Sequence, residues 1–188
     1  MLDELDKKII ENVQRKGRIS LSQISKNVGV SHVAIKRRLD KLEKNGWVNI
    51  SAGLNGEKLD LRLATVTAEI ENYDRMSELL EQFESCPRTI HLSSVGGSKI
   101  LSILVGEDLS TLESVLGTCH LRTRQGVRSS QVEMGNPPKY PKFLPIRITG
   151  NKVKRKTPCG TECRKCGRFL EGMCLGCPGT KYYRGSLF

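Results

Sequence analysis

Five of the chain's seven cysteines lie close together near its end, with the spacing C-x3-C-x2-C-x7-C-x2-C. They are Cys159, Cys163, Cys166, Cys174 and Cys177. Two cysteines separated by two residues form a tight turn that directs both sulfurs toward one point, as a bound metal requires. No histidine follows residue 120, so the donor set is all-thiolate. Such a set suits zinc or an iron–sulfur cluster and disfavours ions that prefer oxygen.

The spacing favours a 4Fe–4S cluster, with zinc as the alternative. For a cluster, the C-x3-C-x2-C run and a remote cysteine supply the ligands, and Cys177-Pro178 is similar to the Cys-Pro end of bacterial ferredoxin runs. For zinc, the two C-x2-C pairs supply four thiolates, but the gap between them is shorter than the ~15–20 residues of a zinc ribbon. Zinc would also leave Cys159 unused, so we expect a cluster bound by four of the five cysteines.

The segment around these cysteines has too few apolar residues to form a core, so we expect it to fold only when metal is bound. The other two cysteines show no ligand spacing. Cys119 lies on the apolar side of a predicted helix, and Cys86 ends another helix just before Pro87. A small buried thiol commonly packs as an apolar side chain, so we expect neither to bind metal.

The residues ahead of this segment predict a helix-turn-helix. An amphipathic helix over 3–16 is followed by a short helix that Ser20 caps, a turn at Gly29, and a third helix over 32–45. The third helix has an apolar stripe and a basic face, which is typical of a recognition helix that enters the major groove. Trp47–Ile50 reads as a short strand that forms a wing with residues 58–61.

Double-stranded DNA is the partner that these helices predict. Ser31 is the expected N-cap of the third helix, whose first residues would lie nearest the bases. Base contacts are predicted for His32, Val33, Lys36 and Arg37, and phosphate contacts for Arg18, Lys36, Arg38, Lys41 and Lys44. Arg38 has an alternative role in an ion pair within the domain.

Residues 61–135 predict a ferredoxin-like domain with the order β-α-β-β-α-β. Residues 61–71 alternate in polarity, and Gly96-Gly97-Ser98 joins two strands in a hairpin. One sheet face would be covered by helices, and the bare face would pack most simply on a second copy of the chain.

The chain is therefore predicted to have three domains and two linkers. The domains are a winged helix-turn-helix at 1–52, a ferredoxin-like effector and dimerisation domain at 61–136, and a cysteine-rich tail at 159–188. The linkers are residues 53–60 and an extended proline-rich and basic segment at 137–158.

The net charge of +11 is distributed unevenly. Residues 1–50 contain 11 basic and 6 acidic side chains, residues 51–150 contain 11 and 12, and residues 151–188 contain 9 and 2. Basic ends around a neutral middle favour a polyanionic partner.

The start of the chain is acidic where a secretory signal is basic, and no apolar run is long enough for a membrane span, so we expect a cytoplasmic protein. No acid–base or nucleophile constellation is apparent, so we expect no enzyme.

These features together resemble a known family. The opening Leu2-Asp3 with Asp6, the Gly17–Ser20 turn, Val30-Ser31, and the Arg38–Gly46 pattern are similar to the DNA-binding half of the Lrp/AsnC regulators. Residues 61–135, including Gly126-Val127, resemble the effector-binding and dimerisation domain of that family. The resemblance covers about residues 1–140. It implies an α+β fold with a winged helix-turn-helix, pseudo-palindromic operators, and homodimers that can assemble into octamers.

The chain departs from the family where many members bind an amino acid. Family members commonly have a glycine followed three residues later by an aspartate, whereas this chain has Gly96-Gly97-Ser98-Lys99. A lysine would repel the ammonium group of an amino acid. We therefore expect a transcriptional regulator that responds to redox state, oxygen or iron through the cysteine tail. The alternatives are a tail that is a structural zinc knob or protein-interaction module, and a regulator that responds to an amino acid.

Overall fold

The computed structural model describes residues 1–150 and 152–188; Asn151, the first residue of the predicted basic run, lies outside the described residues. The chain divides into two compact units, Met1–Ala52 and Gly53–Phe188. Within the described residues, no helix has the length and apolar character that crossing a membrane requires.

The first unit consists of helices α1 (Glu4–Arg15), α2 (Leu21–Val28) and α3 (His32–Lys44). Asp3, Ser20 and Ser31 cap their N-termini through side-chain oxygens that accept backbone N–H groups. Gly29 ends α2 in the left-handed region with φ 79°, where glycine avoids the Cβ penalty. One isoleucine from each helix forms the buried centre: Ile9, Ile24 and Ile35. The predicted helix-turn-helix is therefore confirmed, with helix ends within a residue of those expected.

The predicted wing is wrong. Trp47–Ile50 and residues 58–61 form no strand, and the short strand β1 (Leu54–Asn55) instead pairs with β6 (Phe143–Leu144). This pairing buries Leu144 in an apolar cluster with Leu61, whereas Trp47 stays 57% exposed. The residues around β6 lie far along the chain, and the burial of their apolar side chains therefore determines that β1 is paired and that Trp47–Ile50 is not.

The second unit contains the predicted ferredoxin-like sheet. Within the described residues, its antiparallel strands run in the order β3 (Thr89–Val95), β4 (Lys99–Gly106), β2 (Arg62–Ile70) and β5 (Val127–Gly135). Helices α4 (Tyr73–Glu84) and α5 (Leu109–Thr118) pack on one face. The alternation predicted for β2 holds, since Ala64, Val66, Ala68 and Ile70 are all buried on the helix side.

The residues that follow the sheet belong to this second unit. Leu144, Ile146 and the terminal Phe188 are buried in one cluster with Leu61 and Val105 of the sheet domain. The tail also contains a short helix, α6 (Gly167–Leu170), after a 3-10 turn at Cys163–Lys165. The tail contributes Cys159 and Phe188 to apolar clusters of the ferredoxin-like domain, whereas its Leu170 stays 63% exposed. That the tail folds only when metal is bound stays a prediction.

Candidate nucleic-acid interface and cysteine cavity

Helix α3 presents the predicted base-contacting residues to solvent. Ser31 Oγ accepts the N–H of Ala34 at 3.3 Å, so the first turn of the helix is fixed in place. Ile35 is buried against α1 and α2 with Leu39 packed beside it, and this fixes the rotation of the helix about its axis. The side chains on the opposite side are exposed: His32, Val33, Lys36 and Arg37. This side offers one ring, one apolar group and two cations near the N-terminus of the helix, as base recognition requires.

Most of the predicted phosphate contacts are also at the surface. Arg18, Lys41 and Lys44 are exposed. Lys36 forms an exposed ion pair with Asp40 at 3.1 Å. An exposed pair of this kind contributes little to stability, so Lys36 remains available to an anionic partner.

Arg38 differs from the other predicted contacts. Its guanidinium is ion-paired with Asp3 and with Asp6, where Nη1 lies 2.9 Å from Oδ1. The backbone N–H of Asp6 and the Arg38 guanidinium hold the pKa of Asp3 below its usual value. Arg38 therefore connects α3 to the N-terminal end of α1. This is the alternative role predicted for it, an ion pair within the domain, and it holds α3 in position.

The Asp3 charge makes the stability of the first unit depend on pH. We expect Asp3→Asn to destabilise the unit at neutral pH while it keeps a capping side chain. A lowered pKa stabilises the fold above the ordinary value of 3.8, and this contribution is lost as pH falls through the folded-state pKa. Urea unfolding of both proteins at pH 7 and at pH 3 measures this. A difference that is as large at pH 3 as at pH 7 would contradict the assignment.

Every cysteine of the chain lines one cavity in the second unit. The five predicted ligands Cys159, Cys163, Cys166, Cys174 and Cys177 meet there, together with the two cysteines expected to be inert, Cys86 and Cys119. His120, Phe169 and Thr157 complete much of the wall. This convergence could not be predicted for Cys86 and Cys119, because they are distant along the chain and lack ligand spacing.

Short turns bring the tail cysteines to the cavity. Cys163 begins the 3-10 turn and Cys166 precedes α6, so this pair lies on consecutive turns. Gly176 lies between Cys174 and Cys177 with φ 84°, and its N–H donates to Cys174 Sγ at 3.4 Å. A Cβ at Gly176 would lie 2.8 Å from the carbonyl oxygen of Tyr182, so only glycine fits this turn.

The thiols do not share one electrostatic environment. Hydrogen bonds from Cys119 and Thr157 lower the pKa of Cys159 to about 5, although burial opposes this shift. The hydrogen bond to Cys159 and burial raise the pKa of Cys119 well above its usual value. Burial raises the pKa of Cys163 and Cys174, and it raises that of Cys177 to about 12. A raised pKa keeps these buried thiols protonated and neutral, so a bound cation is what would favour their thiolate forms.

The cavity fits a thiol-binding metal group by its chemistry but is not preassembled around one. Its wall is largely apolar and its donors are thiols, one with an N–H···S bond of the kind that tunes iron–sulfur sites. Within residues 1–150 and 152–188, no three His, Cys, Asp or Glu side chains are grouped closely enough to hold one ion. The cavity volume is about 40 Å³, above the ~10–15 Å³ that a cavity needs to hold one water. Binding of a single ion would therefore require the thiols to move closer together, and binding of a cluster would require the cavity to widen.

A buried ion pair fixes the tail to the sheet domain beside this cavity. Arg88 is 2% exposed, pairs with Glu107, and donates to the Gly176 carbonyl at 3.0 Å. Burial alone would lower the pKa of Arg88, and the Glu107 carboxylate more than offsets this, so the net shift is upward. Tyr183 donates to Glu107 at 2.5 Å from the tail side. Glu107 is thus shared by one residue of the sheet domain and one of the tail.

Comparison with known proteins identifies the first domain most specifically. Residues 2–43 match the family described as the AsnC-type helix-turn-helix domain. The chain is 32% identical over 121 residues to the HTH-type transcriptional regulator LrpA of Pyrococcus horikoshii, an alignment that covers 61% of this chain and 84% of the relative. It is 31% identical over 152 residues to the leucine-responsive regulatory protein of Escherichia coli K12, with 72% and 89% covered.

Solved structures show the same fold. Escherichia coli AsnC superimposes with a TM-score of 0.61 at 18% identity, over 74% of this chain and 95% of that one. A transcriptional regulator of Neisseria meningitidis, crystallised with L-Met, superimposes with a TM-score of 0.62 at 24% identity, over 78% and 96%. About a quarter of this chain therefore lies outside each match, while those proteins are covered almost completely.

Proposed function

This chain belongs to the Lrp/AsnC family of DNA-binding transcriptional regulators, and we propose that it reads a pseudo-palindromic operator with α3 and responds to redox state, oxygen or iron through a cluster bound in the cysteine cavity. The observation that carries the sensing part is the convergence of all seven cysteines on one cavity. The relatives are regulators and not enzymes, so no catalytic role is assigned.

The DNA side of the proposal rests on the exposed face of α3. Val33 is 63% exposed and is held next to His32 and Arg37 by the Ser31 cap and the buried Ile35. An exposed apolar side chain at the start of a basic helix is available to contact a thymine methyl group in the major groove. Selection of binding sites from random duplex DNA tests this: an enriched pseudo-palindrome supports the proposal, and enrichment of no sequence would contradict it.

The proposed assembly is a homodimer that can associate further to an octamer. The sheet face opposite α4 and α5 has a groove of about 560 Å³, whose wall includes Leu63, Ile90 and Ile103. Two-fold packing of this face against a second copy would cover these apolar side chains. A pseudo-palindromic operator has the matching symmetry, because each protomer places one α3 in a half-site.

An amino-acid effector is a weaker candidate for this chain. The Neisseria meningitidis regulator was crystallised with L-Met. In this chain, the turn between β3 and β4 has Gly96 and Gly97 at positive φ, and the next strand begins with an exposed lysine, Lys99. A cation at this position repels an ammonium group, so we place the input at the cysteine cavity.

The residues that would hold the cluster are four of Cys159, Cys163, Cys166, Cys174 and Cys177. When bound, a 4Fe–4S cluster supplies a redox-active centre whose potential depends on hydrogen bonds to sulfur and on burial. The protein contributes the N–H of Gly176 and the apolar ring of Phe169. The small volume of the cavity favours the second candidate, a zinc ion that stabilises the tail as a structural knob.

Anaerobic purification followed by metal analysis and an absorption spectrum tests the metal side. A brown protein that contains iron and sulfide, and that loses both in Cys166→Ser, supports the cluster. A colourless protein with stoichiometric zinc would support the structural knob and contradict redox sensing. A protein that takes up neither metal, even after reconstitution with iron and sulfide or with zinc, would contradict the metal site itself.

A further inference from the structure

We propose that Cys119 of the ferredoxin-like domain is a ligand of the metal group in the cysteine cavity, so that the group is bound jointly by this domain and the tail. The inference rests on the metal site of the proposed function and adds a residue that its spacing motif does not contain. It reverses the expectation that Cys119 is an inert buried thiol.

The first observation is the position of the thiol. Cys119 directly follows α5 and lines the cavity together with the five tail cysteines. Cys159, which is 6% exposed, packs against it within the apolar cluster of the domain. Two thiols that face each other at the wall of a cavity lined by five more are arranged as neighbouring donors.

The second observation is that both sides of this thiol pair are fixed by hydrogen bonds. Arg124 Nη2 donates to the Cys119 carbonyl at 2.7 Å and to Thr161 Oγ1 of the tail at 3.1 Å. Gln82 Nε2 of α4 donates to the Cys159 carbonyl at 2.9 Å. The domain therefore holds both backbones at fixed positions, as an outer layer of partners does around metal ligands.

The third observation points to a missing partner in the same cavity. His120 is 1% exposed and lines the cavity, and its Nδ1 has no hydrogen-bond partner among the described residues. Its Nε2 lies 3.3 Å from Ser102 Oγ. A buried nitrogen without a hydrogen-bond partner is unfavourable, because it has lost its contact with water. A group bound beside Cys119 would supply the partner that this nitrogen lacks.

Joint binding has a consequence for regulation. Cys119 and His120 connect α5 to the sheet, since His120 contacts Ser102 of β4 and the ring of Phe83 on α4. Loss of the metal would therefore remove a direct link between the end of α5 and the tail. A signal at the cavity would reach the domain that forms the proposed dimer interface.

Metal affinity of single cysteine variants tests this inference. Wild type, Cys119→Ser, Cys86→Ser and Cys166→Ser are reconstituted anaerobically with ferrous iron and sulfide, and separately titrated with zinc. We expect Cys119→Ser to bind at least about 10-fold more weakly than wild type, the lower end of what loss of even an outer partner costs. Cys86→Ser is the matched control, because Cys86 lines the same cavity from the same domain.

The outcomes separate this inference from the proposed function. Wild-type affinity in Cys119→Ser, with loss in Cys166→Ser, would overturn the inference and leave the metal site intact. Equal losses in Cys119→Ser and Cys86→Ser would also overturn it, because they would reflect packing alone. No uptake by wild type would overturn both.

A measurement on the wild-type protein tests the inference without relying on the folding of any variant. Wild type is treated with N-ethylmaleimide with metal bound and after chelation, and modification of each cysteine is followed by mass spectrometry. We expect metal to protect Cys119 to the same degree as Cys166 and more than it protects Cys86, which lines the cavity without binding the metal. Equal Cys119 reactivity with and without metal would overturn the inference.

Discussion

Replacing Arg88 with methionine will lower the free energy of unfolding of the second unit by about 3–5 kcal/mol, because the change leaves the Glu107 charge buried without its partner. Methionine retains much of the apolar volume of arginine, so the lost charge and hydrogen bonds account for the effect. Among them is the bond to the Gly176 carbonyl in the Cys174–Cys177 turn. We therefore also expect the tail to become sensitive to proteolysis before the sheet domain unfolds.

Two comparison variants isolate the cause of this loss. Arg62→Met removes a cation paired with the exposed Asp60 at 2.8 Å, and we expect it to cost less than about 1 kcal/mol. Arg88→Met combined with Glu107→Leu removes both charges, and we expect this double variant to recover most of the stability. Denaturant unfolding of the four proteins gives the values. An Arg88→Met protein as stable as Arg62→Met would contradict the role assigned to the buried pair.

Replacing Arg37 with alanine will weaken operator binding by about 5- to 150-fold, which corresponds to about 1–3 kcal/mol for a base-contacting arginine. Arg37 is exposed on the side of α3 opposite the buried Ile35, within two turns of the Ser31 cap. Fluorescence anisotropy with the selected operator and with unrelated duplex DNA measures both specific and non-specific affinity. The specific affinity should fall more than the non-specific affinity.

Two further variants separate base contact from charge. Arg37→Lys keeps the charge but not the paired donors of a guanidinium, so we expect it to lose discrimination and keep non-specific binding. Arg15→Ala removes a cation from α1, where Arg15 pairs with Glu11 at 2.6 Å, and it should change both affinities equally and only slightly. Equal effects of Arg15→Ala and Arg37→Ala on operator binding would contradict base contact by Arg37.

The parts of the fold that local rules govern were predictable from the sequence. Ser20 and Ser31 accept the backbone N–H groups that cap their helices, and a capping residue acts only on the turn that follows it. The alternation from Ala64 to Ile70 specified the buried face of β2 in the same local way. The exposed side of α3 followed from the buried stripe of Ile35 and Leu42.

The parts that depend on contacts between distant segments were not predictable. The partner of β1 is β6, about 90 residues later, and it replaced the predicted wing. Cys119 and Cys86 reach the cysteine cavity only through the docking of the tail, which Arg88 and Arg147 stabilise. Arg147 donates to the Cys86 carbonyl at 2.5 Å, and no spacing rule connects these two residues.

Operator affinity of metal-loaded and metal-free protein tests the central proposal most directly. The account predicts that metal removal changes affinity by at least about 5-fold, the lower end of usual coupling between two sites, and that it changes the salt dependence because the basic tail alters its contacts with phosphate. The oligomer size on the same samples should change as well. Identical affinity, salt dependence and oligomer size in the two states would contradict the proposal that the cysteine cavity is the regulatory input.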